Sequence, residues 1–309
     1  MRRLCLLACA LFLLSRAGEP GGWPEEPFRP KGLHNNSVHR YFPDLDSRLN
    51  AVRYGRWRAL EIAWLSGIDR RLDRQFSSYL LALLADPPRY APEADRVAPS
   101  LSREAGPVFR ALRWGQMLEQ QLSDALASPD ASASLTEARL EKALDIYRRE
   151  RHALSEPEDP GASRDGGEAA RAAPVSTKIL VSGTALFART AEDLAASDFG
   201  EQRWRVRKTI DAFDRSFAGD FARPAGSAEP ETESPGAVRL ATYASLAPTV
   251  AADYPRIAEQ LDRLVRFRTE VFEALIPGGE TAAARRERDA RLATVARRYG
   301  LPPEGIRAR

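Results

Sequence analysis

Cysteine is nearly missing from this chain. The 309 residues hold only Cys5 and Cys9, both within the first 17 positions. Beyond them the sequence can form no disulfide, thiolate metal ligand, Cys nucleophile or CxxCH haem attachment. Histidine is almost as scarce, with three residues, His34, His39 and His152. None falls within an apolar helix seam, which argues against a haem or di-metal centre inside a bundle. Strand patterning is absent too: Val and Ile nowhere sustain alternation with polar residues. No G-x-G-x-x-G, phosphate loop, H-E-x-x-H or G-x-S-x-G occurs. No cofactor is expected.

An excess of charge is also missing. Residues 1–17 carry three of the 46 basic side chains and none of the 43 acidic ones, so the remainder is balanced. A nucleic-acid partner would call for a basic excess or patch, and none is expected. Only Lys31, Lys142, Lys178 and Lys208 are lysines; the other basic residues are arginines interleaved with Glu and Asp. That pattern reads as solvated, paired helix faces. Glu61 and Glu119 each have arginines nearby and are read as paired surface acids.

What is present begins with an export signal. Arg2 and Arg3 precede an apolar run from Leu4 to Leu14, and Ser15-Arg16-Ala17 resembles a small-residue cleavage site. The run is shorter than the ~20 residues a transmembrane helix needs. The expected location is the bacterial periplasm or the medium. The alternative is an N-terminal or lipid anchor, because Leu6-Leu7-Ala8-Cys9 resembles a lipobox. Residues 18–43, broken by Pro20, Pro24, Pro27, Pro30 and Pro43, read as an extended arm.

Helical periodicity fills most of the rest. Two similar four-helix halves are expected at residues 44–152 and 176–301, in an all-α multi-helix bundle. A Pro/Gly/Glu-rich disordered linker at 153–175 joins them, a flexible loop lies at 222–235, and a tail follows at 302–309. Ser134 and Glu137 have the spacing of a capping box opening the fourth helix.

The halves share a pattern that suggests an internal duplication. Val97-Ala98-Pro99-Ser100-Leu101 returns as Leu246-Ala247-Pro248-Thr249-Val250. Each copy leads into a long seam. Val108, Leu112, Gly115, Leu118, Leu122 and Leu126 match Ile257, Leu261, Leu264, Phe267, Val271 and Leu275 at one constant offset. Their steps of three and four place one helix face against a core. Arg56-Trp57-Arg58 also recurs as Arg203-Trp204-Arg205. Arg and Trp can anchor a partner through stacking and burial, so these six residues are the partner-binding candidates; the competing reading is a core Trp between solvated arginines.

One constellation could hold a metal. His34, His39, Asp44 and Asp46 are ligand types for zinc or iron, although their spacing fits no compact motif. The expected function is an exported helical interaction or scaffold protein without a catalytic centre, binding a protein partner in the envelope. Two alternatives differ in class. One is a periplasmic metal-dependent hydrolase built on the His34/His39/Asp44/Asp46 region. The other is an accessory subunit of a membrane-associated electron-transfer complex, for which a membrane surface is a possible partner.

Overall fold

The structure, a computed structural model, describes residues 36–67, 70–129, 131–156, 172–221, 241–276, 281–304 and 306. Thirteen helices occupy them: α1 (Ser37–Tyr41), α2 (Pro43–Ser66), α3 (Arg70–Ala85), α4 (Ala94–Val97), α5 (Pro99–Glu104), α6 (Gly106–Leu126), α7 (Ala133–Arg149), α8 (Pro174–Leu194), α9 (Phe199–Phe221), α10 (Tyr243–Leu246), α11 (Pro248–Asp253), α12 (Pro255–Leu275) and α13 (Ala282–Arg298). No strand occurs among the described residues; one isolated antiparallel bridge joins Ala105 to Ile306. The protein is an all-α multi-helix bundle.

Proline sets where many of these helices begin. Pro43, Pro99, Pro107, Pro174, Pro248 and Pro255 stand in first turns, where a missing N–H costs nothing and the fixed φ suits the helix. At three of these starts the orphan amides take carboxylates from other helices. Ser100 N and Leu101 N of α5 both donate to the Glu61 carboxylate of α2 at 3.0 Å. Thr249 N and Val250 N of α11 donate to Glu192 Oε2 of α8 at 2.9 and 3.2 Å. Val175 N and Ser176 N of α8 donate to Asp73 of α3 at 2.7 and 2.9 Å. Each carboxylate meets the positive end of a helix dipole, so these bonds fix both helix start and helix packing.

Element order repeats. From α2 to α7 the lengths are 24, 16, 4, 6, 21 and 17 residues. From α8 to α13 they are 21, 23, 4, 6, 21 and 17. The two runs do not form separate cores: α8 packs on α2, α3 and α6, and α12 packs on α6 and α2. One apolar cluster contains both seams, from Val108 to Leu126 and from Ile257 to Leu275. The seams meet at Gly115, where a Cβ would collide with the Leu264 side chain. A second close approach brings Gly183 of α8 onto Val52 of α2. Both glycines are there because the crossing helices leave no room for a side chain.

Several expectations need correction. Residues 37–41 form α1 where an extended arm was expected, with Val38 and Phe42 buried; residues 18–35 lie outside the described residues. The cap of α7 is Ser132, whose hydroxyl accepts from Leu135 N, so Ser134 lies inside the helix. Leu154, at the start of the expected linker, is buried, and Ser155 N donates to Tyr299 O. Residues 157–171 of that linker and the loop at 222–235 fall outside the described residues. The two Arg-Trp-Arg triplets are not equivalent: the first lies on α2, the opening helix of its run, and the second on α9, the second helix of its run. Glu61 and Glu119 are buried rather than on the surface.

Candidate functional sites

Three places concentrate polar chemistry. The first is the contact of the central helices. Glu119 of α6 receives Arg268 Nη2 of α12 at 3.0 Å and stands 3.5 Å from Arg56 Nη1 of α2, a charge contact rather than a hydrogen bond. Arg56 also donates to Thr184 Oγ1 at 2.9 Å. Phe187 of α8 stacks under two guanidinium groups, with Arg53 Cζ and Arg56 Cζ at 5.1 and 5.0 Å from its centroid. Burial, and then the neighbouring Arg268, lowers the Arg56 pKa well below the arginine norm. With every member buried, the cluster fixes helix geometry and offers no entrance to a substrate.

The second place is a groove of about 580 Å³ between α1, the start of α2 and α9. Tyr41, Phe42, Pro43 and Pro87 form its apolar part, and Trp204 and Ile210 face them from α9. Phe199 braces this wall edge-on against Tyr41 and Phe42, at 5.9 and 5.6 Å between centroids. Three arginines (Arg48, Arg203, Arg207) and three aspartates (Asp44, Asp211, Asp214) line the groove, so neither sign prevails. Arg48 Nη2 and Asp214 Oδ2 are already paired at 2.9 Å. Trp204 is 58% exposed, and Lys208 Nζ lies 3.7 Å from its ring centroid.

The third place is a polar cavity of about 370 Å³ bounded by α1, α2, α6 and the chain after Pro88. His39, Asp46, Asn50, Arg53, Tyr90 and Asp124 line it, among others. His39 Nδ1 lies 2.8 Å from Asp46 Oδ2, and the His39 ring stacks on Tyr90 at 6.0 Å. A carboxylate only accepts, so the pair places a proton on Nδ1. Arg53 Nη1 donates to Asn50 Oδ1 at 2.7 Å, and Val38 N donates to Asp124 Oδ1 at 3.0 Å. Burial pushes the Asp124 carboxyl up to about 7, opposed by the Val38 amide and by Arg53. Burial also lowers Arg53, against the pull of Asp46, Glu119 and Asp124.

The residues expected to carry function are thus dispersed. Asp46 and His39 come together, Asp44 lines the Trp204 groove instead, and His34 lies outside the described residues. Among the described residues no group of three or more His, Cys, Asp or Glu is placed to hold a metal ion. Of the first triplet, Trp57 is buried and donates from Nε1 to Gln116 Oε1 at 2.8 Å, Arg56 joins the central cluster and Arg58 is exposed. Of the second, Arg203 and Trp204 stand at the groove, while Arg205 pairs with Glu201 along its own helix. His152 is buried and receives Arg110 Nε at 2.8 Å.

Sequence reasoning passed over Arg53 and Asp124. Arg53 carries a usable signal, a charged residue at an apolar position of a periodic face between Leu49 and Trp57; Asp124 stands two residues from both Leu122 and Leu126, off that seam, and carries none. Among the described residues no helix is long and apolar enough to cross a membrane. No protein-family model matches the chain, and neither a curated protein nor a solved structure matches it significantly.

Proposed function

We propose that this chain is an exported helical binding protein of the bacterial envelope, without a catalytic centre of its own, and that the groove beside Trp204 receives a segment of a protein partner. The observation that carries this reading is the 58% exposure of Trp204 at the mouth of an aromatic-walled groove. Leaving an indole in water forgoes a burial worth roughly 1.5–3 kcal/mol, and a partner that covers the ring recovers it. Trp, Tyr and Arg are the residue types that dominate binding energy at protein interfaces, and Trp204, Tyr41, Arg203 and Arg207 stand together here.

The charge pattern says what kind of segment fits. An anionic lipid surface needs basic residues without interspersed acids. Here Asp44 and Asp211 share the groove with Arg203 and Arg207, which suits a peptide carrying both signs around an apolar or prolyl anchor.

Site-specific cross-linking tests this. A photoreactive residue in place of Arg207 should give one discrete adduct in envelope preparations. Trp204→Ala should abolish that adduct. Leu65→Ala, which removes an equally exposed apolar side chain outside the groove, should leave it intact. An adduct indifferent to Trp204→Ala, or none at all, contradicts the reading.

A further inference from the structure

The polar cavity beneath His39 is independent of the Trp204 groove and has a different chemistry. Its walls hold a buried cation and a buried acid that do not satisfy each other. Arg53 and Asp124 are each 2% exposed and both line the cavity. No hydrogen bond or ion pair joins them, and each keeps a buried atom without a protein partner: Nε of Arg53 and Oδ2 of Asp124. A buried donor or acceptor left unmade is costly, and the cost is larger for charged groups. Two such groups of opposite sign in one cavity imply something between them that accepts from one and donates to the other.

We propose that this cavity is a binding site for a small zwitterion carrying a carboxylate and a primary ammonium, the chemistry of a free amino acid. The ligand carboxylate accepts from the Arg53 guanidinium, which Asn50 holds through Nη1. The ammonium donates to Asp124, whose Oδ1 is held by the Val38 amide. His39, oriented by Asp46 through Nδ1, adds a further polar side chain to the lining. Tyr90, 69% exposed and stacked on His39, also lines the cavity. The volume of about 370 Å³ is within the range of small-molecule sites. A quaternary amine fits less well, because a buried carboxylate oxygen calls for an N–H donor.

Calorimetry on the full chain with each free proteinogenic L-amino acid provides the test. At least one should bind at millimolar concentration or below. Its N-acetyl and carboxamide derivatives, each lacking one charge, should bind at least about tenfold more weakly. Asp124→Asn keeps shape and the acceptor for Val38, and should also weaken binding at least about tenfold; Arg53→Gln should do the same. Should Arg53→Gln fail to fold, Asp124→Asn and the two derivatives still decide the matter. Trp204→Ala should leave amino-acid binding unchanged, so failure here and failure of the partner groove are separable. No binding by any amino acid, or equal binding by the N-acetyl derivative, overturns the proposal.

Discussion

Glu119 and Arg268 are ion-paired at 3.0 Å across the contact of α6 and α12, and they are separated by 149 residues, the same spacing that relates the two apolar seams. Gly115 and Leu264, which touch one turn away, share that spacing. Positions separated by that constant spacing therefore meet each other at the contact of α6 and α12. The residues at the centre then become complementary rather than alike: an acid meets a base, and a glycine meets a leucine.

Both members of the pair are buried, away from bulk solvent. Glu119→Gln leaves Arg56 and Arg268 buried with too little negative charge, and should cost about 3–5 kcal/mol in urea unfolding. Combining Glu119→Leu with Arg268→Met and Arg56→Met removes the charges together and should recover most of that loss.

Gly115→Ala should destabilise by about 1–3 kcal/mol through overpacking against Leu264. Leu264→Ala alone should cost about 2–5 kcal/mol by leaving a cavity. The double variant should be more stable than the sum of the two predicts, since the new methyl partly fills the space. Simple additivity in thermal or denaturant melts would mean that the two positions do not touch.

Much of the fold was legible because burial imposes a period. Val108 through Leu126 and Ile257 through Leu275 gave the two central helices by spacing alone, and both are buried as the pattern requires. Helices of four to six residues, α4, α5, α10 and α11, are too short to show a period. α1 hid among prolines, although Val38 and Phe42 stand four apart just before Pro43. The candidate sites were less readable. Trp57 and Trp204 sit in identical triplets, and only tertiary packing distinguishes the core residue from the exposed one. The arginines near Glu119 in sequence are not its partners: Arg56 and Arg268 reach it from distant helices.

Asp124 predicts a pH dependence. Its folded pKa of about 7 lies above the unfolded value near 3.9, so the folded state binds more protons between them. Its contribution is fully present below about pH 4 and is lost as pH rises through 7, at a limiting slope of about 1.4 kcal/mol per unit. Asp124→Asn cannot titrate. Relative to the wild type it should gain stability as pH rises from 4 to 7, measured as the difference between two urea-melt series. A constant difference across that range would mean that Asp124 does not carry a raised pKa.

The two tryptophans separate scaffold from recognition. Trp57→Ala should cost about 3–5 kcal/mol, since the ring is buried against Phe109 and bonded to Gln116. Trp204→Ala should change stability by less than about 0.5 kcal/mol, the scale of an ordinary surface substitution.

The most direct measurement is the Arg207-position cross-link, read in parallel for wild-type, Trp204→Ala and Leu65→Ala chains of matched thermal stability. The account predicts a single adduct that persists in Leu65→Ala and vanishes in Trp204→Ala. An adduct of equal yield in all three, or no adduct in any, would contradict it.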